Sequence, residues 1–174
     1  AATKGRILIK NVTPKHLESI SAKLIKMGVN IEEYDDSILV DASAPLKKAN
    51  IKTMPYPGFP TDALAPIMAL SAVARGTTIF TENIFQNRYK QAWELCRMGA
   101  DIRLSGRVAV VSGVEKLAGA PVESTDLRGG AAMLIAGMCA EGETVIYDHG
   151  HIRRGKGQLQ NTGNDGRNHK PDQL

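Results

Sequence analysis

The sequence predicts an α/β fold assembled from a repeated strand-helix-strand-helix-strand-strand unit, and three observations predict it. The stretch Leu24-Ile25-Lys26-Met27-Gly28-Val29-Asn30-Ile31 returns almost position for position as Leu95-Cys96-Arg97-Met98-Gly99-Ala100-Asp101-Ile102, about 71 residues later. A Thr-Asp pair opens an apolar helical stretch twice, at Thr61-Asp62 and Thr125-Asp126, and each stretch closes on a glycine, Gly76 and Gly142. Each of those glycines is followed by a β-rich run, 77–81 and 144–147.

Taken in order, residues 1–5 read as the end of a helix of the Thr-Asp kind, so the chain is expected to begin inside an element and to extend further toward the N-terminus. Residues 6–10 read as a strand. Over 13–28, Leu17, Ile20, Leu24 and Met27 fall at helical spacing behind a Thr13 cap and Pro14, and Gly28 closes the helix. Strands follow over 29–33 and 37–40, joined across Asp35-Asp36. The second copy supplies a helix ending at Gly99 and strands over 100–104 and 107–111. Each helix is expected to be amphipathic and to cover a sheet face.

Composition narrows the function classes. Hydrophobic residues make up 43% of the chain and charged ones 23%, the ordinary globular range. No apolar run approaches the roughly eighteen residues of a membrane span, and no basic-then-apolar leader precedes the first strand, which gives a cytoplasmic expectation and no membrane. Much of the net charge of +4 sits in residues 153–174, with no basic stripe interleaved with aromatics, so no nucleic-acid partner is expected. Cys96 and Cys139 lie inside helical patterns and read as buried, reduced thiols. His16, His149, His151 and His169 lack metal-ligand helix spacing, so neither a metal nor a cofactor is expected. Phosphate-loop, dinucleotide and Gly-x-Ser-x-Gly patterns are all missing. Residues 153–174 form an atypical polar tail, too poor in apolar side chains to cover a sheet, and are expected to be disordered.

Three places could carry chemistry. Met54-Pro55-Tyr56-Pro57-Gly58-Phe59-Pro60 stiffens its backbone with three prolines and delivers Thr61-Asp62 at a helix start. Asp62 is there either a helix-capping acid or a rigidly mounted base. Thr125-Asp126-Leu127-Arg128-Gly129-Gly130 adds an arginine and two glycines that a helix disfavours, which points either to a close backbone approach or to a ligand; the bland reading pairs Arg128 with Asp126 or another surface acid. Arg153-Arg154 could hold a carboxylate or phosphate, or belong to a solvated basic tail.

Several stretches together resemble the UDP-N-acetylglucosamine 1-carboxyvinyltransferases. They are Pro55-Tyr56-Pro57-Gly58-Phe59-Pro60-Thr61-Asp62, Thr81-Glu82-Asn83-Ile84-Phe85-Gln86-Asn87-Arg88, Arg97-Met98-Gly99-Ala100-Asp101, Leu117-Ala118-Gly119-Ala120 and Thr125-Asp126-Leu127-Arg128-Gly129-Gly130-Ala131-Ala132. The resemblance covers residues 1 to about 155. It implies an inside-out α/β barrel architecture of the enolpyruvyl transferase kind, with residues 1–152 forming about two and a half repeats of a C-terminal domain. It implies transfer of the enolpyruvyl group of phosphoenolpyruvate to the 3-hydroxyl of UDP-N-acetylglucosamine, at the start of peptidoglycan synthesis, with the N-terminal domain of the same protein as partner. The family's reactive loop cysteine belongs to that other domain, so the segment alone is expected to be inactive.

The site residues carried over by resemblance are Asp62, as the carboxylate taking the hydroxyl proton, and Ile84, as a contact to the UDP-sugar through its backbone. Phe85 and Arg88 join them as substrate-binding residues, Asp126 and Arg128 as the Asp-Leu-Arg element, and Arg154 as the arginine that holds the donor. Arg153 stands where the family has Asp, and Gly155 is followed by Lys156-Gly157-Gln158 in place of Tyr-Glu, so the tail from about Arg153 is expected to differ from the family's ending. A non-catalytic UDP-sugar-binding half-protein and the transferase acting on shikimate 3-phosphate are the competing readings. The Pro-Tyr-Pro-Gly-Phe-Pro-Thr-Asp and Thr-Glu-Asn-Ile-Phe stretches favour the sugar-nucleotide branch.

Overall fold

The structure is a computed structural model and describes residues 1–152; the tail expected to be disordered, 153–174, lies outside the described residues. β1 (Arg6–Lys10) is an outer strand of a three-stranded antiparallel sheet of order β1-β3-β2, with β2 at Asn30–Glu33 and β3 at Ser37–Asp41. Between β1 and β2 the chain forms a 3-10 turn over Pro14–Leu17 that runs into α1 (Glu18–Lys26). Thr13 is extended ahead of it but makes no side-chain capping bond. The helix entry therefore rests on Pro14, whose ring fixes φ and whose missing N–H is one of the donors a first turn leaves unused. Residues 1–5 form a turn, with Lys4 N–H on the Ala1 carbonyl at 3.1 Å.

The next unit begins with β4 (Ile51–Lys52), which pairs in parallel with β5 (Thr77–Thr81), Ile51 opposite Phe80. A parallel pair needs a crossover, and here it is a 3-10 turn over Thr61–Ala63 followed by α2 (Leu64–Ser71). After β5 come α3 (Lys90–Arg97), β6 (Asp101–Ser105) and β7 (Val108–Ser112), giving a sheet of order β4-β5-β7-β6. The last part holds β8 (Leu117–Ala118), β9 (Pro121–Glu123), α4 (Leu127–Cys139), β10 (Ala140–Glu141) and β11 (Val145–Tyr147), with β8 parallel to β10 and β9 parallel to β11.

The repeat seen in the sequence is a repeat of hydrogen bonding. The first residues of β1, β2 and β3 precede those of β5, β6 and β7 by 71 positions each. The parallel bridge between Lys47 and Arg75 recurs as the β8–β10 pair, and the β4–β5 pair recurs as β9–β11. The repeated Met-Gly has a physical reason. Met27 and Met98 are fully buried plugs at the ends of α1 and α3, and Gly28 and Gly99 turn the chain with φ of +92° and +89°, a region where a Cβ is strained.

The core differs from the expectation in one respect. α2 is not an amphipathic cover: all its residues but Pro66 are buried, and it packs against α4, which contributes Gly129, Gly130, Ala132, Met133 and Ala136. A helix apolar all round belongs in an interior. Small residues on α4 let the two helices approach, while Phe80, Leu95, Val111, Leu117 and Val122 close the core from the sheets and α3. Cys96 and Cys139 are free and half-buried, and burial pushes the Cys139 thiol up.

Candidate functional site

The parallel crossover sets the site. Thr53, just past β4, and Glu82, just past β5, end neighbouring strands, and Thr53 N–H reaches the Thr81 carbonyl at 3.0 Å. The proline-rich loop leaves β4 and is pinned back by buried Phe59, whose carbonyl accepts Met54 N–H at 3.0 Å. It therefore delivers Thr61 and Asp62 beside the end of β5.

Asp62 is not a helix cap. Pro60 occupies the capping position without a side-chain bond, and the Thr61 hydroxyl instead donates to Glu82 Oε2 at 2.7 Å. The Asp62 carboxylate accepts from Arg128 Nε at 2.5 Å, its side chain 68% exposed and that of Arg128 33%, so the pair can be reached from solvent. Arg128 thus pairs with an acid on the preceding crossover and not with its neighbour Asp126. Asp126 is the true cap: its Oδ1 accepts from the N–H groups of Arg128 and Gly129 at 2.9 and 2.8 Å at the start of α4.

Gly129 and Gly130 are explained by packing within the chain. A Cβ on Gly130 would stand 2.5 Å from Ser124 Oγ and 2.7 Å from Ile152 Cγ1, and one on Gly129 would stand 2.4 Å from Thr125 Oγ1. Of the two sequence readings, close approach is the one these distances support.

Ile84 and Phe85 follow Glu82 in a turn whose N–H groups both donate to Glu82 Oε1, at 2.6 and 3.1 Å. A ligand contact through the Ile84 backbone then falls to its carbonyl. Phe85 is half exposed, and the Arg88 guanidinium lies over its ring, 4.3 Å from the centroid. Arg153 and Arg154 lie outside the described residues.

Sequence reasoning missed Glu82 as a functional candidate, although it stands inside one of the motifs. It is 1% exposed and receives four donors, from Thr53, Thr61, Ile84 and Phe85. Burial pushes its carboxyl up, but the bonds from Thr61, Thr53, Phe85 and Ile84 outweigh burial and hold it below the ordinary carboxylate value. Asn83 braces the same turn, its N–H donating to Thr53 Oγ1 and its amide to the Thr53 carbonyl. The available signal was an acid directly after the alternating strand Thr77–Thr81, a place where a charged side chain ends up under the following loop.

A cavity of about 720 Å³ lies elsewhere, lined in part by Ala74, Gly113, Met138 and Cys139 from around the C-terminal ends of α2 and α4, and it shares no residue with this site. Among the described residues no three His, Cys, Asp or Glu side chains are grouped to hold a metal, and no helix is long and apolar enough to cross a membrane.

The fold is built of repeated β-α-β-α-β-β units, with an acid-arginine pair at the starts of two crossover helices. The model of the EPSP synthase (3-phosphoshikimate 1-carboxyvinyltransferase) family matches residues 1–161, and the chain belongs to that family. It is 56% identical over 155 residues to UDP-N-acetylglucosamine 1-carboxyvinyltransferase 3 of Caldanaerobacter subterraneus subsp. tengcongensis, covering 89% of this chain and 37% of that protein. It is 53% identical over 160 residues to the UDP-N-acetylglucosamine 1-carboxyvinyltransferase of Desulfofundulus thermocisternus, covering 92% and 66%. To that of Clostridium botulinum it is 52% identical over 161 residues, covering 92% and 39%. The chain thus spans between about two fifths and two thirds of these relatives' lengths. Among solved structures, the enolpyruvyl transferase NikO from Streptomyces tendae matches with a TM-score of 0.79 at 24% identity, covering 88% of this chain and 38% of that one. EPSP synthase from Acinetobacter baumannii matches with a TM-score of 0.63 at 17% identity, covering 84% and 36%. Both likenesses concern the fold.

Proposed function

We propose that this chain is a segment of a cytoplasmic transferase that moves the enolpyruvyl group of phosphoenolpyruvate to the 3-hydroxyl of UDP-N-acetylglucosamine and releases phosphate, the first committed step of peptidoglycan synthesis and so of cell-wall biogenesis, shape and division. The observation that carries the reading is the Asp62–Arg128 pair, an exposed carboxylate against a guanidinium, held at the starts of two packed crossover helices. The names of relatives at 52–56% identity support the choice of acceptor.

The chemistry asks for both groups. The acceptor hydroxyl must lose its proton as its oxygen bonds to the donor's central carbon, and a positioned carboxylate is suited to take it. The donor carries a carboxylate and a phosphate, and a guanidinium binds such planar or clustered oxygens through paired, charge-assisted bonds. An incoming anionic donor competes with Asp62 for Arg128. Donor binding therefore draws the guanidinium off Asp62 and leaves the carboxylate to the hydroxyl. Ile84, Phe85 and Arg88 contribute the sugar-nucleotide side, Asp126 orients Arg128 by capping its helix, and Arg154 adds a second cation for the donor. The remaining wall comes from an N-terminal domain of the same protein, whose closure dries the site.

Asp62→Ala in the full-length enzyme is expected to lower turnover by at least ~100-fold, the usual scale for a positioned acid-base group, with the melting temperature unchanged. Turnover near that of the unmodified enzyme would sink the reading. Running the assay with shikimate 3-phosphate as the acceptor separates the two branches of the family, and turnover of that acceptor in preference to the sugar nucleotide would reverse the assignment.

A further inference from the structure

We propose that Glu82 is a positioning residue that locks the Asp62 mount and the Ile84-Phe85 turn into one unit. The inference rests on the functional reading above for what the two parts do, but the lock itself stands on geometry.

The end of β4, the start of the following crossover and the turn behind β5 all meet on this one carboxylate. Oε2 accepts the hydroxyl of Thr61, the residue immediately before Asp62, at 2.7 Å. Oε1 accepts the hydroxyl of Thr53 at 2.8 Å, and the N–H groups of Ile84 and Phe85 at 2.6 and 3.1 Å. All four partners are donors, and an ionised carboxylate is the side chain that offers only acceptors. Glu82 is 1% exposed, so its charge is stabilised by these bonds in place of solvent. The fold uses a related device one unit later, where Asp148, just past β11, accepts the N–H groups of His151 and Ile152 at 2.8 and 3.0 Å. Glu82 does more than hold the turn behind its own strand, because it also reaches across to the crossover that carries Asp62. A displacement of about 1 Å at a reacting group can lower a rate on the order of 100-fold, so an acid that sets the relative placement of base and acceptor contact governs turnover without touching either substrate.

The test compares three variants in the full-length enzyme. Glu82→Asp shortens the side chain by a methylene and cannot serve Thr61 and the turn together. Thr61→Val removes the tie to the Asp62 mount alone. Glu82→Gln keeps the length and an acceptor oxygen, and the Thr61 hydroxyl can rotate to accept from its amide. In steady-state assays per folded molecule, Glu82→Asp and Thr61→Val are expected to lower kcat by about 10- to 100-fold. KM for phosphoenolpyruvate should stay within about 3-fold, and Glu82→Gln should recover most of the kcat lost in Glu82→Asp. Hydrogen exchange read by mass spectrometry supplies an arm independent of activity. Segments 55–64 and 82–88 should exchange at least about 10-fold faster in Glu82→Asp, with the β6–β7 ladder unchanged. A wild-type kcat in Glu82→Asp and Thr61→Val, or a Gln variant as impaired as the Asp variant, overturns the positioning role. If the unmodified enzyme fails to turn over the sugar nucleotide, the functional reading falls, and exchange then decides the lock: unchanged exchange in both segments overturns it.

Discussion

Asp62 and Asp126 stand at matching places in successive units, yet one presents its carboxylate to solvent and an arginine while the other spends it on two backbone N–H groups. The difference follows from the residue ahead. Thr61 is drawn to Glu82, which turns the start of the crossover into a 3-10 turn and leaves Asp62 without a backbone donor. Arg128→Ala is expected to weaken use of phosphoenolpyruvate more than ground-state binding of UDP-N-acetylglucosamine, since the guanidinium is assigned to the donor. Separate titration of each substrate checks this, and a loss confined to sugar-nucleotide affinity contradicts it. Glu82 also makes a pH signature. Its folded carboxyl sits below the ordinary value, so its contribution to stability is complete above the unfolded pKa and is lost as pH falls through the lower, folded one. Thermal melts between pH 6 and pH 3 should show the acid limb flatten in Glu82→Gln. The motif positions of Asp62 and Arg128 were legible in the sequence, but their pairing was not. A side chain's partner 66 positions away is chosen by the parallel crossover, whereas sequence reasoning looks first to neighbours. Glu82 was hidden for a similar reason, because a buried carboxylate depends on donors brought from three segments at once.

At the scale of elements, strands and helix ends were legible because they are written locally, as alternation, Met-Gly stops and Thr-Asp starts. The environment of α2 was not, since eight apolar-rich residues read alike whether one face or the whole helix is covered. The glycines of α4 show local and tertiary demands in opposition. Alanine at Gly130 gains about 1 kcal/mol of helix propensity but drives a Cβ into Ser124 and Ile152. Overpacking of this kind costs about 1–3 kcal/mol, so Gly130→Ala is expected to be net destabilising in urea unfolding. Gly129→Ala should be milder, because its Cβ has one close obstacle, Thr125 Oγ1, whereas that of Gly130 meets Ile152 as well as Ser124. Gly113→Ala should be the most damaging, as its Cβ would fall 1.6 Å from the backbone oxygen of Ala74.

For the molecule as a whole, the repeat length was legible from one eight-residue recurrence and the α/β class from it together with the paired Thr-Asp starts and the β-rich runs after Gly76 and Gly142, whereas the pairing of the crossovers came only from the structure. Among the described residues β1 pairs along one edge alone, and Ile7, Leu8 and Ile9 are 59%, 44% and 39% exposed. An apolar strand with a free edge invites association. The isolated chain should therefore sediment as larger species with rising concentration, and Leu8→Lys should shift it toward the monomer; concentration-independent sedimentation would contradict this. The packing of α2 on α4 has a different consequence. Because the acid and its arginine are joined through space by neighbouring helices, they do not depend on the covalent path between them. That path passes through the exposed turn at Gly106, where a Cβ would meet nothing within 4 Å. A cut there by a protease, or new chain ends placed there by circular permutation, leaves the helices in register and the ion pair made. The half-site is a property of the assembled surface, and it should survive a broken backbone.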